Sequence, residues 1–198
     1  MKPRIIIIIP TVDRDSDRVR ECMKSLECTN NFYVDHEVVL YENDWIGYPK
    51  AVNNAIKEVN GIYTGIVLLN DDCVPLHSGW LNELTDCGQL TGVIAGANHT
   101  LQRNIFGNDH LTFWCVYIPK GVLDRVGLLD EKFGMGNSDD IDYCWRTLKE
   151  GFSIEERPNV KVLHRGSRTF IQMEKEKRGD FEKTKQENNA YLRSKWNL

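Results

Sequence analysis

Two acidic clusters carry residues whose types and spacing could do chemistry: Asn70-Asp71-Asp72 and Asn137-Ser138-Asp139-Asp140-Ile141-Asp142. In the first, two carboxylates follow an apolar run and offer hard oxygen ligands. Mg²⁺ or Mn²⁺ takes one or two such groups together with phosphate oxygens and water. Asn and Asp also favour turns for their own sake, so both readings stand. In the second, Asp139 and Asp140 fall in the first turn of an expected helix, where the macrodipole favours negative charge and capping alone would account for them. Acids at 139, 140 and 142 exceed what capping requires, and a carboxylate held ionised there could take a proton from an attacking hydroxyl. His164 closes an apolar stretch. A lone His is more often structural, but a neutral imidazole at a strand end is in place to be a third metal ligand. Arg165 and Arg168 beside it face either phosphate or solvent. Trp45, Tyr48 and Trp114 have faces that stack a base or a sugar, or that fill a core.

Several chemistries are excluded by what is missing. The chain has no G-x-x-x-x-G-K-[ST] loop and no G-x-G-x-x-G after its first strand. It has no G-x-S-x-G elbow and no H-E-x-x-H pair. Any phosphate it binds is therefore expected to be handled with a metal. With 25 Lys+Arg against 29 Asp+Glu the net charge is −4, which argues against duplex DNA or RNA as a partner. The longest apolar run, Ile5 to Ile9, is far short of the roughly 20 residues of a membrane span. No charged and apolar leader precedes a small-residue cleavage site, which argues against a signal peptide. Cys22, Cys28, Cys73, Cys87, Cys115 and Cys144 show no C-x-x-C spacing and read as buried free thiols, so a reducing cytoplasm is expected.

The elements that must position these clusters are legible in the first 72 residues. Ile5 to Ile9, β-branched and stopped by Pro10, reads as a strand buried on both faces. Val19, Cys22, Met23 and Leu26 recur at helical spacing after Asp15 and Ser16. A second strand is expected over 37–41, a second helix from Ala51 to Val59, and a third strand over 65–69. The order β-α-β-α-β forces parallel pairing and right-handed connections, with ligands at the carboxyl ends of the strands. Pro10-Thr11-Val12-Asp13, Glu42-Asn43-Asp44 and Asn70-Asp71-Asp72 fall at those ends and suggest a nucleotide site. Beyond them the sequence predicts a short helix over 80–84, strands over 92–97 and 111–118, and a short helix to about Val126. A helix over 138–150 with Ser138 as N-cap and a strand over 160–164 follow. From 171 to 198 a charged helix is expected, broken near Gly179, with Tyr191, Leu192 and Trp196 docked on the body.

The order of these clusters resembles the family-2 glycosyltransferases with the GT-A fold, especially their rhamnosyltransferase-like branch. Gly47-Tyr48-Pro49-Lys50-Ala51-Val52-Asn53-Asn54-Ala55-Ile56 looks like that branch's G-F-A-x-x-x-N-x-G stretch. Leu68 to Pro75 resembles the aspartate-rich metal motif, and Gly127-Leu128-Leu129-Asp130-Glu131-Lys132-Phe133 matches a G-x-x-D-E-x-F lead-in. Asp139 to Arg146 resembles the E-D-x-D-x-x-x-R motif, and His164 with Gly166 and Ser167 is similar to the closing H-x-x-G-x-S segment. The similarity covers about residues 4 to 169. Asn70 stands where the family commonly has an acid, and Glu42 where it often has aspartate.

The resemblance implies a single GT-A domain over 1–170, an α/β fold with a mostly parallel open sheet flanked by helices. Its nucleotide-binding half would be 1–97, its acceptor and catalytic half 98–170, and 171–198 a C-terminal helical extension. It implies Mn²⁺ or Mg²⁺ as cofactor, a nucleoside-diphosphate-sugar donor and a glycan, glycolipid or other hydroxyl acceptor, with inversion in one displacement. Pro10, Thr11, Asp13 and Glu42 would line the base pocket, with Lys50 and Asn53 also on the donor. Asp71 would lie near the ribose and the metal, Asp72 and His164 would ligate the metal, Asp140 would be the general base, and Asp139 would position the acceptor. Two other uses of these features are a catalytically degenerate domain kept for binding, and a sugar nucleotidyltransferase. The charged tail with Trp196 is open to capping the fold, pairing two copies, or resting on the surface of an anionic membrane.

Overall fold

The computed structural model describes residues 3–31, 33–86, 91–104, 106–166, 168–176 and 178–198; Cys87, Ser167 and Lys177 lie outside them. Strand β1 (Arg4–Thr11) is the centre of the first half. Ile5, Ile7 and Ile9 pack into one apolar cluster and Ile6 and Ile8 into another, all five fully buried. The run lacks alternation because both faces of the sheet are covered, yet its side chains still keep the two-residue period of a strand. Helix α1 (Asp17–Cys28) is capped by Ser16 Oγ, which accepts from Val19 N at 3.4 Å. It lends Cys22 and Leu26 to the first cluster. Strand β2 (Asp35–Glu42), helix α2 (Tyr48–Glu58) and strand β3 (Gly65–Leu69) complete the β-α-β-α-β unit, with Val52, Ala55 and Ile56 of α2 on the opposite face. β1 pairs parallel with both β2 and β3, and Thr11 stands opposite Glu42.

The second half adds β4 (Cys73–Pro75), α3 (Trp80–Thr85), β5 (Val93–Gly96), β6 (Leu101–Arg103), β7 (Asp109–Leu111) and β8 (Cys115–Pro119). After them come α4 (Lys120–Val126), a 3₁₀ turn (Glu131–Phe133), α5 (Asp139–Lys149), β9 (Ser153–Glu156), β10 (Val162–His164), α6 (Arg168–Lys175) and α7 (Phe181–Trp196). The main sheet runs β2-β1-β3-β8-β5-β9; β8 is antiparallel to both of its neighbours and the remaining pairs are parallel. Strands from both sides of residue 97 thus share one sheet. Two small antiparallel ribbons, β4–β10 and β6–β7, stand apart from it.

Three expectations need correction. The strand expected over 111–118 is two strands, because Thr112 leaves the ladder and donates both its N–H and its hydroxyl to Thr100 O, at 2.8 and 3.1 Å. β4, β6 and β9 are not readable from the sequence because they are only three or four residues long, and β6 and β9 are also largely polar or exposed. Cys28 is exposed, whereas Cys22, Cys73, Cys115 and Cys144 are buried free thiols as expected. The helical tail begins at Arg168 rather than 171. Its second helix docks where anticipated: Leu192 is fully buried with Phe133, Ile141 and Trp145, and Tyr191 and Trp196 pack against that cluster. Among the described residues no helix is long and apolar enough to cross a membrane.

Candidate active site

Parallel pairing brings the carboxyl ends of β1, β2 and β3 side by side, and the first polar corner forms there. Asn43, just past β2, ties itself to β1 by donating its backbone N–H and its side-chain amide to Thr11 O, at 2.9 and 2.8 Å. Asp71, on the turn after β3, accepts on one oxygen, Oδ2, from Thr11 Oγ1 at 2.7 Å and from Arg18 Nε at 2.8 Å. Burial pushes its carboxyl up from the ordinary value, and the bonds from Arg18 and Thr11 pull it back only in part.

The second corner is built by the β4–β10 ribbon, whose register sets His164 opposite Cys73. His164 Nε2 therefore lies 3.2 Å from Asp72 Oδ1, with Asp72 only 4% exposed. The imidazole is stacked on Trp114, ring centroids 5.0 Å apart. Although close to Asp72, Nε2 makes no hydrogen bond among the described residues, and neither does the buried Asn70 Oδ1. Asp72, Cys73 and His164 form the one group among the described residues whose ligand atoms converge for a metal. Cys73 does not suit a hard cation: burial pushes its thiol far up, and its sulfur donates to Trp114 O at 3.2 Å. A carboxylate beside an imidazole nitrogen that lacks a partner does fit Mn²⁺ or Mg²⁺. Asp71 is not in this group, and its Oδ2 is held by Arg18 and Thr11.

The third corner is the start of α5. Asn137 and Ser138 both take the left-handed conformation, φ +80° and +69°. Such residues persist only where the surroundings fix them. Here Asn188 of α7 donates to the carbonyls of Phe133, Gly136 and Asn137 at 2.7–3.0 Å, and Ser138 Oγ turns to Asn189 Oδ1 at 2.9 Å instead of capping α5. Asp139, 4% exposed, is pushed up to about 8, chiefly by burial and then by the charge of Asp140. Asp140 is also raised by burial, opposed first by nearby His110. The two carboxylates titrate as a pair that retains a proton near neutral pH. Tyr48 packs near them, its hydroxyl donating to Phe113 O at 2.9 Å, and burial with both carboxylates pushes its phenol up. Asp142 does not join them. It is fully buried away from the cavity and paired with Arg146, Lys195 and Trp196.

The three corners open on one cavity of about 440 Å³. Pro10, Thr11, Asp71, Asp72, His164, Asp139 and Asp140 line it, together with Trp45, Tyr48, Trp114 and Arg168. The other residues proposed for the donor do not reach it. Asn53 is buried and structural, donating to Leu129 O and Glu131 Oε1 and accepting from Leu129 N. Asp13 shapes the entry to α1 by accepting from Asp15 N at 3.1 Å, and Glu42 accepts from Arg14 N at 3.1 Å. Lys50 is exposed on the first turn of α2, and Arg165 pairs with Glu21. Sequence reasoning missed Arg18 and His110. Arg18 had a signal, a cation in the first turn of a helix against its dipole. His110 had none.

No protein-family model and no curated protein matches the chain. Among solved structures it is similar to the catalytic domain of Drosophila β1,4-galactosyltransferase 7 in complex with xylobiose, with TM-score 0.65 and 11% identity over 85% of this chain and 73% of that one. It is also similar to GalNAc-T7 with UDP, GalNAc and Mn²⁺, with TM-score 0.64 and 8% identity over 82% of this chain and 43% of that one. A third likeness is to the mannosyltransferase PcManGT from Pyrobaculum calidifontis with GDP-Man and Mn²⁺, with TM-score 0.62 and 13% identity over 86% and 60%. The chain has the GT-A fold of these enzymes.

Proposed function

We propose that the chain is a metal-dependent inverting glycosyltransferase that moves a sugar from a nucleoside diphosphate to an acceptor hydroxyl. The observation that carries this reading is one cavity, in a GT-A fold, where the Asp72–His164 pair and the Asp139–Asp140 pair both present their groups. The solved neighbours were captured with Mn²⁺, with UDP or GDP-mannose, and with sugar ligands, and the same ligand classes suit this cavity.

In this mechanism the acceptor oxygen attacks the anomeric carbon while the bond from that carbon to the diphosphate oxygen breaks. The hydroxyl proton passes to Asp140, which is the base because the neighbouring His110 favours its ionised form while Asp139 holds the shared proton. Asp139, still protonated, can donate to the acceptor and orient it. Asp72 and His164 would hold Mn²⁺ or Mg²⁺, and a cation held there neutralises charge on the departing diphosphate. Arg168, which also lines the cavity, can add positive charge toward a bound diphosphate. Trp114, stacked on His164, fixes the imidazole plane and excludes water beside it.

The test is thermal unfolding with UDP, GDP, dTDP or CDP, each with and without Mn²⁺. A nucleotide at about 100 times its Kd adds roughly 2.7 kcal/mol of stability. One nucleotide should stabilise the protein in a metal-dependent way, and Asp140→Asn should keep that stabilisation while losing sugar transfer. Failure of all four nucleotides would sink the reading.

A further inference from the structure

In the chemistry above the β6–β7 ribbon contributes only the charge of His110 near Asp140, yet two of its side chains line the cavity. Its register sets Gln102 directly across from His110, and both line the cavity near the start of α5. His110 is 6% exposed, and its Nδ1 is buried with no hydrogen-bond partner among the described residues. A buried polar nitrogen left without a partner is costly. At a cavity wall its natural complement is a ligand atom. The ring sits in the cavity wall, and a small rotation brings this nitrogen to a ligand atom.

The ligand class follows from the charges around it. The same cavity holds the Asp139 and Asp140 carboxylates, and among its described lining residues Arg168 of α6 is the one Lys or Arg side chain. An anionic acceptor would meet repulsion from the carboxylate pair. A neutral ring bearing several hydroxyls meets an amide, an imidazole and the aromatic side chains of Phe113 and Trp114. We infer that the β6–β7 ribbon is the acceptor-recognition element, with His110 Nδ1 and the Gln102 amide hydrogen-bonding hydroxyls of a neutral sugar. This rests on the transferase reading and goes further, making His110 a specificity-determining residue.

The test titrates protein labelled with ¹⁵N-histidine with the methyl glycosides of xylose, galactose, glucose and mannose, following the His110 Nδ1 resonance. No donor is required, so the result is separate from whether any nucleotide binds. At least one glycoside should shift the resonance saturably. His110→Gln, whose amide sits near the place of Nε2, should weaken that glycoside about tenfold, the loss of one good hydrogen bond. His110→Asn, whose amide lies nearer the place of Nδ1, should retain most of the affinity. Gln102→Leu, at an exposed strand position where misfolding is not at issue, should weaken the same glycoside. Absence of any shift with all four glycosides overturns the assignment. So does equal weakening by His110→Asn and His110→Gln, or unchanged affinity in Gln102→Leu.

Discussion

Trp196 donates its indole N–H to Asp142 Oδ1 at 2.9 Å, tying the last turn of α7 to the helix whose first turn carries Asp139 and Asp140. Lys195 reaches the same oxygen at 2.8 Å and Arg146 the other at 2.9 Å. The third acid of the motif is thus an internal clamp. Farther up α7, Asn188 holds the left-handed backbone that starts α5. The C-terminal helix is part of the scaffold of the carboxylate pair.

Asp142→Ala leaves Arg146 and Lys195 facing a vacated, buried position. Removing one partner of a buried pair costs about 3–5 kcal/mol. Urea unfolding should show a loss of that order. A loss below about 1 kcal/mol, the range of exposed pairs, would mean that the clamp does not hold the tail.

The metal corner makes a separate prediction. Asp72→Asn and His164→Ala each remove one ligand, and altering even residues that merely support metal ligands costs about 10–100-fold in affinity. Mn²⁺ binding followed by electron paramagnetic resonance should weaken at least that much in both variants. Cys73→Ala should leave it unchanged, because the buried thiol already has Trp114 O as its partner. Equal Mn²⁺ affinity in the wild type and His164→Ala would remove the imidazole from the ligand set.

How much of this was legible in the sequence depended on the range of each interaction. Ile5 to Ile9 and Gly65 to Leu69 announce themselves because strands covered on both faces are apolar throughout. Parallel pairing then places Thr11 beside Asp71, and the helix start at Asp139 was readable from local pattern alone. The convergence of Asp72 with His164 was not derivable from pattern, since it depends on β4 and β10, three residues each, finding one another across the chain. The β6–β7 ribbon was silent for a similar reason: Leu101–Arg103 is exposed throughout, so no burial pattern marks it as a strand. Asn53 misled because its partners, Leu129 and Glu131, come from a distant lead-in that shares the motif order without sharing the site. Asp142 stands two residues past Asp140, a spacing that does not share a helix face, and its carboxylate meets Arg146, Lys195 and Trp196 instead of the cavity.

Gly47 shows why the stretch before α2 requires a glycine. Its φ is +95°, and a Cβ there would lie 2.1 Å from Gly134 O, a backbone atom. Gly47→Ala must move the segment leading to α5 as well as adopt a disfavoured conformation. That conformation alone costs of order 1–3 kcal/mol. Thermal unfolding should reveal at least such a loss, and nucleotide-dependent stabilisation should fall with it because Trp45 and Tyr48 flank the glycine in the cavity wall. A neutral Gly47→Ala would show that the contact with Gly134 is not tight in solution.

The raised carboxyl of Asp139 sets a pH dependence with a definite sign. Its ordinary value is 3.8 and burial takes it to about 8 in the fold, so between those values the folded chain holds a proton that the unfolded chain has released. Stability is therefore greatest, as far as this group is concerned, below about pH 4 and declines as pH rises toward 8. For a single proton the slope is at most about 1.4 kcal/mol per pH unit. Asp139→Asn carries no such proton and keeps a neutral side chain at every pH. Its melting temperature should gain steadily on the wild type from pH 4 to pH 8 and stay level above that. Parallel curves for the two proteins across the window would show that Asp139 is ionised in the fold at neutral pH, and the orienting donor of the proposed mechanism would be lost with it.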